Sequence, residues 1–145
     1  MTKNKTEEKF KILINFIKDL SVETPNTETL IYVRDHISSY HLSIDINSKA
    51  LKNKMIEVST KLYFKDKQQS ERKSIFEINY ASIIKISESV NDKKVIEKIV
   101  LCDVQKEIYP KLENIFLRLL EDSGFPGVKF EKKVDFEKLF NDRLN

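Results

Sequence analysis

Three stretches of this chain alternate apolar and polar residues with a period of two, which restricts its middle to half-buried antiparallel sheet. In YHLSIDIN, Leu42, Ile44 and Ile46 share one face, and His41, Ser43 and Asp45 share the other. In MIEVSTKLYF, Ile56, Val58, Thr60, Leu62 and Phe64 oppose Met55, Glu57, Ser59, Lys61 and Tyr63. In SIFEINYASII, Phe76, Ile78, Tyr80 and Ile84 oppose Ile75, Glu77, Asn79 and Ala81. The links between them, SKALKNK and KDKQQSERK, are short and polar, as in a meander with one covered face.

A fourth strand is expected over Lys11–Val22, with Ile12, Ile14 and Phe16 on one side. Pro25-Asn26 ends it, because proline cannot donate to a ladder and turns Thr24 away from helix. TETLIYVRDHISS then reads as an irregular connection, with more apolar residues (Leu30, Ile31, Tyr32, Val33) than a solvated loop needs. From Val95 the period becomes helical. Val95, Ile99, Cys102 and Ile108 form a stripe that Pro110 should break or kink. Leu112, Ile115, Phe116, Leu119 and Leu120 follow as a second stripe, and Gly124 suits a left-handed helix end. A last short helix is expected in VDFEKLFNDRL, with Asp135 as its N-cap. Strands followed by helices give an α+β class: a four-stranded antiparallel sheet followed by helices packed on one face.

A chain of 145 residues suits one domain, here 10–145 after a loose tail over 1–9. Apolar residues are 40% and charged residues 34%, so the core is modest and burial against further subunits is expected. Cys102 stands alone, which excludes an internal disulfide and suits a reducing compartment. MTKNKTEEKF is no signal peptide, and no apolar run reaches the ~18 residues of a membrane span. A cytoplasmic location is expected, without membrane insertion.

Chemistry is sparse. His36, His41 and Cys102 do not make up a metal set, no serine carries a nucleophile signature, and no glycine-rich turn is present to cradle phosphate. No enzyme activity, metal or cofactor is expected. Net charge is +3, but residues 49–73 carry +5 and the remainder −2. That segment could bind nucleic acid through its lysines. Most of them fall in turns, where solvated lysines also guard strand ends.

FIKDLSVETPN, Phe16 to Asn26, resembles the N-terminal signature of the bacterial export chaperone family SecB: an aromatic residue, then I-K-D-x-S-x-E-x-P-N. KVDFEKLF (133–140) looks like that family's closing P-V-D/N-F-x-x-L-Y/F motif, and FEINYASII is similar to its E-V-x-Y-x-G-I-F strand. IYPKLENIFLRLLEDSGF aligns without a gap on its F-P-Y-A-R helix and the G-F that follows. The resemblance implies an ATP-independent holdase that binds unfolded preproteins and delivers them to the motor SecA. It also implies a homotetramer built as a dimer of dimers.

By this resemblance, Pro25, Leu30, Tyr32, Leu42, Ile44, Ile115 and Phe116 would line the client groove. Asp19, Glu23, Ile75 and Glu77 would receive the motor's basic tail, and Phe76, Ile78 and Tyr80 would meet other subunits. A chaperone dedicated to one client, such as an antitoxin, is the alternative, with a nucleic-acid module using 49–73 behind it. The chain departs from the family's acidic balance. Val104-Gln105 replaces a C-P pair, Glu113 the helix arginine and Ser82 the strand glycine. Lysines beside the acidic positions would repel a basic tail.

Overall fold

The computed structural model describes residues 8–68, 70–130 and 133–144. Residues 1–7 of the expected tail lie outside the described residues. Four strands, β1 (Phe10–Glu23), β2 (Tyr40–Ala50), β3 (Met55–Asp66) and β4 (Ile75–Ile86), form one antiparallel sheet in the order β1-β4-β3-β2. The expected alternation sets the register of its centre. Ile56, Val58, Thr60 and Leu62 of β3 stand opposite Ile84, Ser82, Tyr80 and Ile78 of β4, on the face the helices cover. Leu42, Ile44 and Ile46 of β2 extend that face opposite Phe64, Leu62 and Thr60.

β1 departs from simple alternation. Its register against β4 shifts between Ile12 and Ile14 and again between Ile17 and Asp19. Ile12 pairs with buried Ile84, whereas Ile14 and Phe16 pair with Ile83 and Ala81 on the opposite, outer face. An inserted residue flips everything after it to the other side of a sheet, so the single face expected for Ile12, Ile14 and Phe16 is split.

The connection after Pro25 is also more regular than expected. It contains a helix, α1 (Thr27–His36), and a short 3-10 turn, Ile37–Ser39. Asn26 is extended and its side chain accepts from the Thr29 amide at 2.9 Å, so the Pro-Asn pair starts a helix as its N-cap. Val33 is buried beneath α1 and Leu30 and Tyr32 are half-buried, which accounts for part of the apolar excess of this segment, while Ile31 is 57% exposed.

α2 (Lys93–Lys98) runs through a π-helical stretch, Ile99–Asp103, into α3 (Val104–Asp122). Pro110 lies inside α3 on its exposed side and does not end it, since water can serve the carbonyl left without a partner. Ile99, Cys102, Ile108, Leu112, Phe116 and Leu120 are all buried against the sheet. Burial pushes the Cys102 thiol above its usual range, as suits a packed core thiol. Within this core Gln105 and Thr60, both 0% exposed, bond each other: Thr60 donates to Oε1 at 3.1 Å and Gln105 Nε2 donates back at 2.9 Å. Gly124, at φ +96, ends α3 as expected, and the Phe125 amide reaches back to the Leu120 carbonyl at 2.9 Å. Asp135 accepts from the Lys138 amide at 3.0 Å and caps α4 (Phe136–Leu144). Phe136 packs edge-on against Tyr109, at 5.2 Å between centroids, and Lys106 pairs with Glu137 at 2.6 Å.

The β2–β3 turn carries two non-glycine residues in the left-handed region, Asn53 (φ 61) and Lys54 (φ 58). The second of these is glycine in most such turns. Here the Lys54 ammonium donates to the carbonyls of Ser87, Glu88 and Val90 at 3.3, 3.1 and 2.9 Å and to Asn91 Oδ1 at 3.0 Å. The side chain ties the loop after β4 to this turn. Lys54→Met is expected to lower stability by about 2 kcal/mol, from the loss of charge-assisted hydrogen bonds. Lys54→Gly should lose only about 1 kcal/mol, because glycine relieves the left-handed backbone. Urea denaturation of the two variants checks the order, and equal losses would mean the backbone carries no strain.

Candidate functional site

Two surfaces take up the residues singled out in the sequence. The first is the outer face of the sheet. Asp19 pairs with Asn79, Ser21 with Glu77 and Glu23 with Ile75, so residues that stand directly opposite share this face. Asp19, Glu23, Ile75 and Glu77 therefore form one patch across β1 and β4. The register shift after Ile17 is what brings Asp19 to the same side as Phe16. On the next strand, Lys61 stands opposite Asn79 and Tyr63 opposite Glu77. Lys61 and Lys65 hold their ammonium groups 4.8 and 4.9 Å from the centre of the Tyr63 ring. The Lys61 ammonium is raised above the usual lysine range, first by its polar contact with Tyr63 and further by Glu77 and Asp19. Basic side chains thus border the acidic patch directly.

The second surface lies on the helix side of the free edge strand β2. Leu42 and Ile44 are half-buried there. Ile46, two residues on, leads into a cleft of about 440 Å³ whose other walls include Ile96, Val100, Leu101 and Phe140. Phe116 is 0% exposed and stacks on Phe130, with centroids 6.1 Å apart, while Phe130 meets Phe64 edge-on at 5.6 Å. Phe116 is therefore floor, and Ile115 beside it is the half-exposed position. Leu30 comes against the end of α3, since a Cβ on Gly124 would stand 3.2 Å from its Cδ1. Tyr32 stacks on His36 at 4.1 Å, and Pro25 is exposed just ahead of the α1 cap. Leu42 and Ile44 thus form one row, with Ile46 continuing it. Pro25 stands apart, next to the acidic patch.

Residues 3–145 match the family model for the preprotein translocase subunit SecB. The chain belongs to the SecB family. It is similar to a sequence assigned as a protein-export protein SecB in Pelagibacter ubique, 60% identical over 95% of this chain and 99% of that one. The protein-export protein SecB of Parvibaculum lavamentivorans is 25% identical over 92% of this chain and 77% of its own length. Among solved structures, a SecB-like chaperone of Mycobacterium tuberculosis, in complex with a peptide from an antitoxin, shares the fold. The TM-score is 0.63 at 10% identity, over 86% of this chain and 91% of that one.

The chain is thus a SecB-family chaperone for protein export, and several residues of the second surface had no mark in the sequence. Phe130 is a lone aromatic in a polar loop, Phe140 falls on the apolar side of the last short helix, and Val100 lies off the stripe of Val95, Ile99, Cys102 and Ile108. The usable signal was the one that flagged Leu30–Val33, a large apolar residue where a loop needs none. Phe76, Ile78 and Tyr80, expected to meet other subunits, are buried in the core of the single chain, beneath its own helices. The basic residues of 49–73 do not form one cluster: Lys49, Lys52 and Lys54 lie at one end of β3, Lys67, Arg72 and Lys73 at the other, and Lys61 and Lys65 on its outer face. Twelve residues of strand, about 40 Å, separate the end groups. Among the described residues no helix is long and apolar enough to cross a membrane, and no three histidine, cysteine or acidic side chains are grouped to hold a metal ion.

Proposed function

We propose that this chain is an ATP-independent holdase of the cytoplasm that keeps preproteins unfolded along the helix side of β2 and delivers them to the SecA motor at the outer patch. The observation that carries this reading is the row Leu42, Ile44, Ile46. It is apolar, only half-covered by the chain's own helices, and runs along a free edge into a cleft. An extended client laid there gains apolar contact from alternate side chains, and the unpaired β2 backbone can accept its main chain. Holding of this kind uses binding energy alone, so no nucleotide is needed. Irregular walls of strand and helix, part apolar and part polar (Asn47, Ser48, Glu97, Arg143), suit many sequences.

A homotetramer, a dimer of dimers, belongs to the same proposal. β1 is the other free edge, fourteen residues long. Leu13, Ile14, Ile17 and Leu20 on it are 46%, 54%, 46% and 43% exposed. A long, apolar, uncovered edge is an aggregation site unless another chain covers it. β1 therefore replaces Phe76, Ile78 and Tyr80 as the surface offered to a second copy. Service to one dedicated client is the alternative, favoured by the antitoxin peptide bound to the M. tuberculosis neighbour.

Light scattering of an unfolded secretory protein diluted from denaturant tests the holding activity. The wild type should suppress aggregation near one tetramer per client, and Leu42→Asp/Ile44→Asp should lose at least tenfold in potency, since each buried carboxylate opposes apolar contact. An unaltered potency in that variant would remove β2 from the client site. Suppression limited to one client among several would favour the dedicated chaperone. For the outer patch, Glu77→Lys is expected to weaken binding of the SecA C-terminal tail tenfold or more, measured by calorimetry at low salt. Unchanged affinity would reject docking there.

A further inference from the structure

We infer that the segment received by the outer sheet face carries both signs of charge, with cations over the β1–β4 acids and at least one carboxylate over Lys61 and Lys65 of β3. This deepens the docking proposal above and rests on it. The acids and the lysines occupy successive strands of one face: Asp19, Asn79 and Lys61 lie in one cross-strand row, and Ser21, Glu77 and Tyr63 in the next. With neighbouring strands about 4.8 Å apart, the row from β1 to β3 spans about 10 Å. That is near the screening length of physiological salt, so a cation seated over Glu77 still feels Lys61 and Lys65.

Both ammonium groups rest on the same Tyr63 ring, which favours these positions over others. They are not neutralised at contact distance. Among the described residues the ion pairs are Lys18 with Glu57, at 2.7 Å, and Lys106 with Glu137. Asp45, opposite Lys61 on β2, offsets part of one charge, but the residue opposite Lys65 is His41. Two like charges gathered on one ring repel each other, and a carboxylate set over both offsets that cost. A purely basic segment gains the acids but meets the lysines. A segment with a carboxylate one strand further on gains both, and the lysines fix its direction and register.

The test uses two synthetic peptides of equal length followed by fluorescence anisotropy with the full chain: one of lysine, glycine and serine, the other with two of its serines changed to glutamate. On the wild type the mixed-charge peptide should bind about fivefold tighter or more, despite its lower net charge. In Lys61→Ser/Lys65→Ser, whose changes lie on the exposed face, the order should reverse. Should the basic peptide bind the wild type as well as or better than the mixed one, while Glu77→Lys still abolishes its binding, docking stands and this inference falls. Should Glu77→Lys change the binding of neither peptide, the docking proposal falls and takes this inference with it.

Discussion

Phe116→Ala is expected to cost about 3–5 kcal/mol of stability, a large share of the 5–15 kcal/mol typical of a domain. The side chain is fully buried at the centre of α3 and lies on Phe130, which in turn bridges to Phe64. Phe64 continues the chain of rings to Tyr40 and Phe76, with centroids 5.4 and 6.1 Å away. Truncation therefore empties a cavity in contact with both the sheet and the loop after α3, which can collapse only by moving Phe130. Ile115, next in sequence and half-exposed, should cost about 1–2 kcal/mol as alanine. The pair separates packing from binding: Phe116→Ala lowers the urea midpoint about two- to threefold more than Ile115→Ala, whereas only Ile115→Ala lowers client affinity beyond what its loss of stability explains. A Phe116→Ala midpoint within error of wild type would show that the ring is not part of the core.

The contrast between these neighbours marks what the sequence could tell. A helical stripe names both residues, because the period of 3.6 identifies the apolar side of a helix but not where its cover ends. The sheet was more legible, since a two-residue period leaves only two faces. Glu77 and Ile75 were placed on the outer one by alternation alone. Asp19 needed the register shift between Ile17 and Asp19, and the paired residues Phe16-Ile17 and Lys18-Asp19 break the alternation without saying which of them is the extra one. α1 was hidden differently. Pro25-Asn26 has the composition of a turn, and only the Asn26 side chain accepting from Thr29 turns it into a helix start. The lysines bordering the acidic patch were visible as a charge run, but their nearness to it depended on β3 lying beside β4.

Gln105→Leu is expected to lose about 1–3 kcal/mol, and adding Thr60→Val should restore most of the loss. The single change leaves the Thr60 hydroxyl buried without the amide that both donates to it and accepts from it. An unsatisfied buried polar group costs its full desolvation, whereas removing both partners exchanges one hydrogen-bonded pair for apolar contact. Gln105 Nε2 also donates to the Val100 carbonyl, at 3.3 Å within the π-helical stretch. The pair thus pins the widened turn of the helix to the middle of β3 and fixes how α3 lies along the sheet. If that is its main role, the double variant should regain stability yet show faster hydrogen exchange at Ile99–Asp103 than the wild type. A double variant no more stable than Gln105→Leu would mean that the cost of the single change is steric. Thr60 would then contribute nothing beyond its volume.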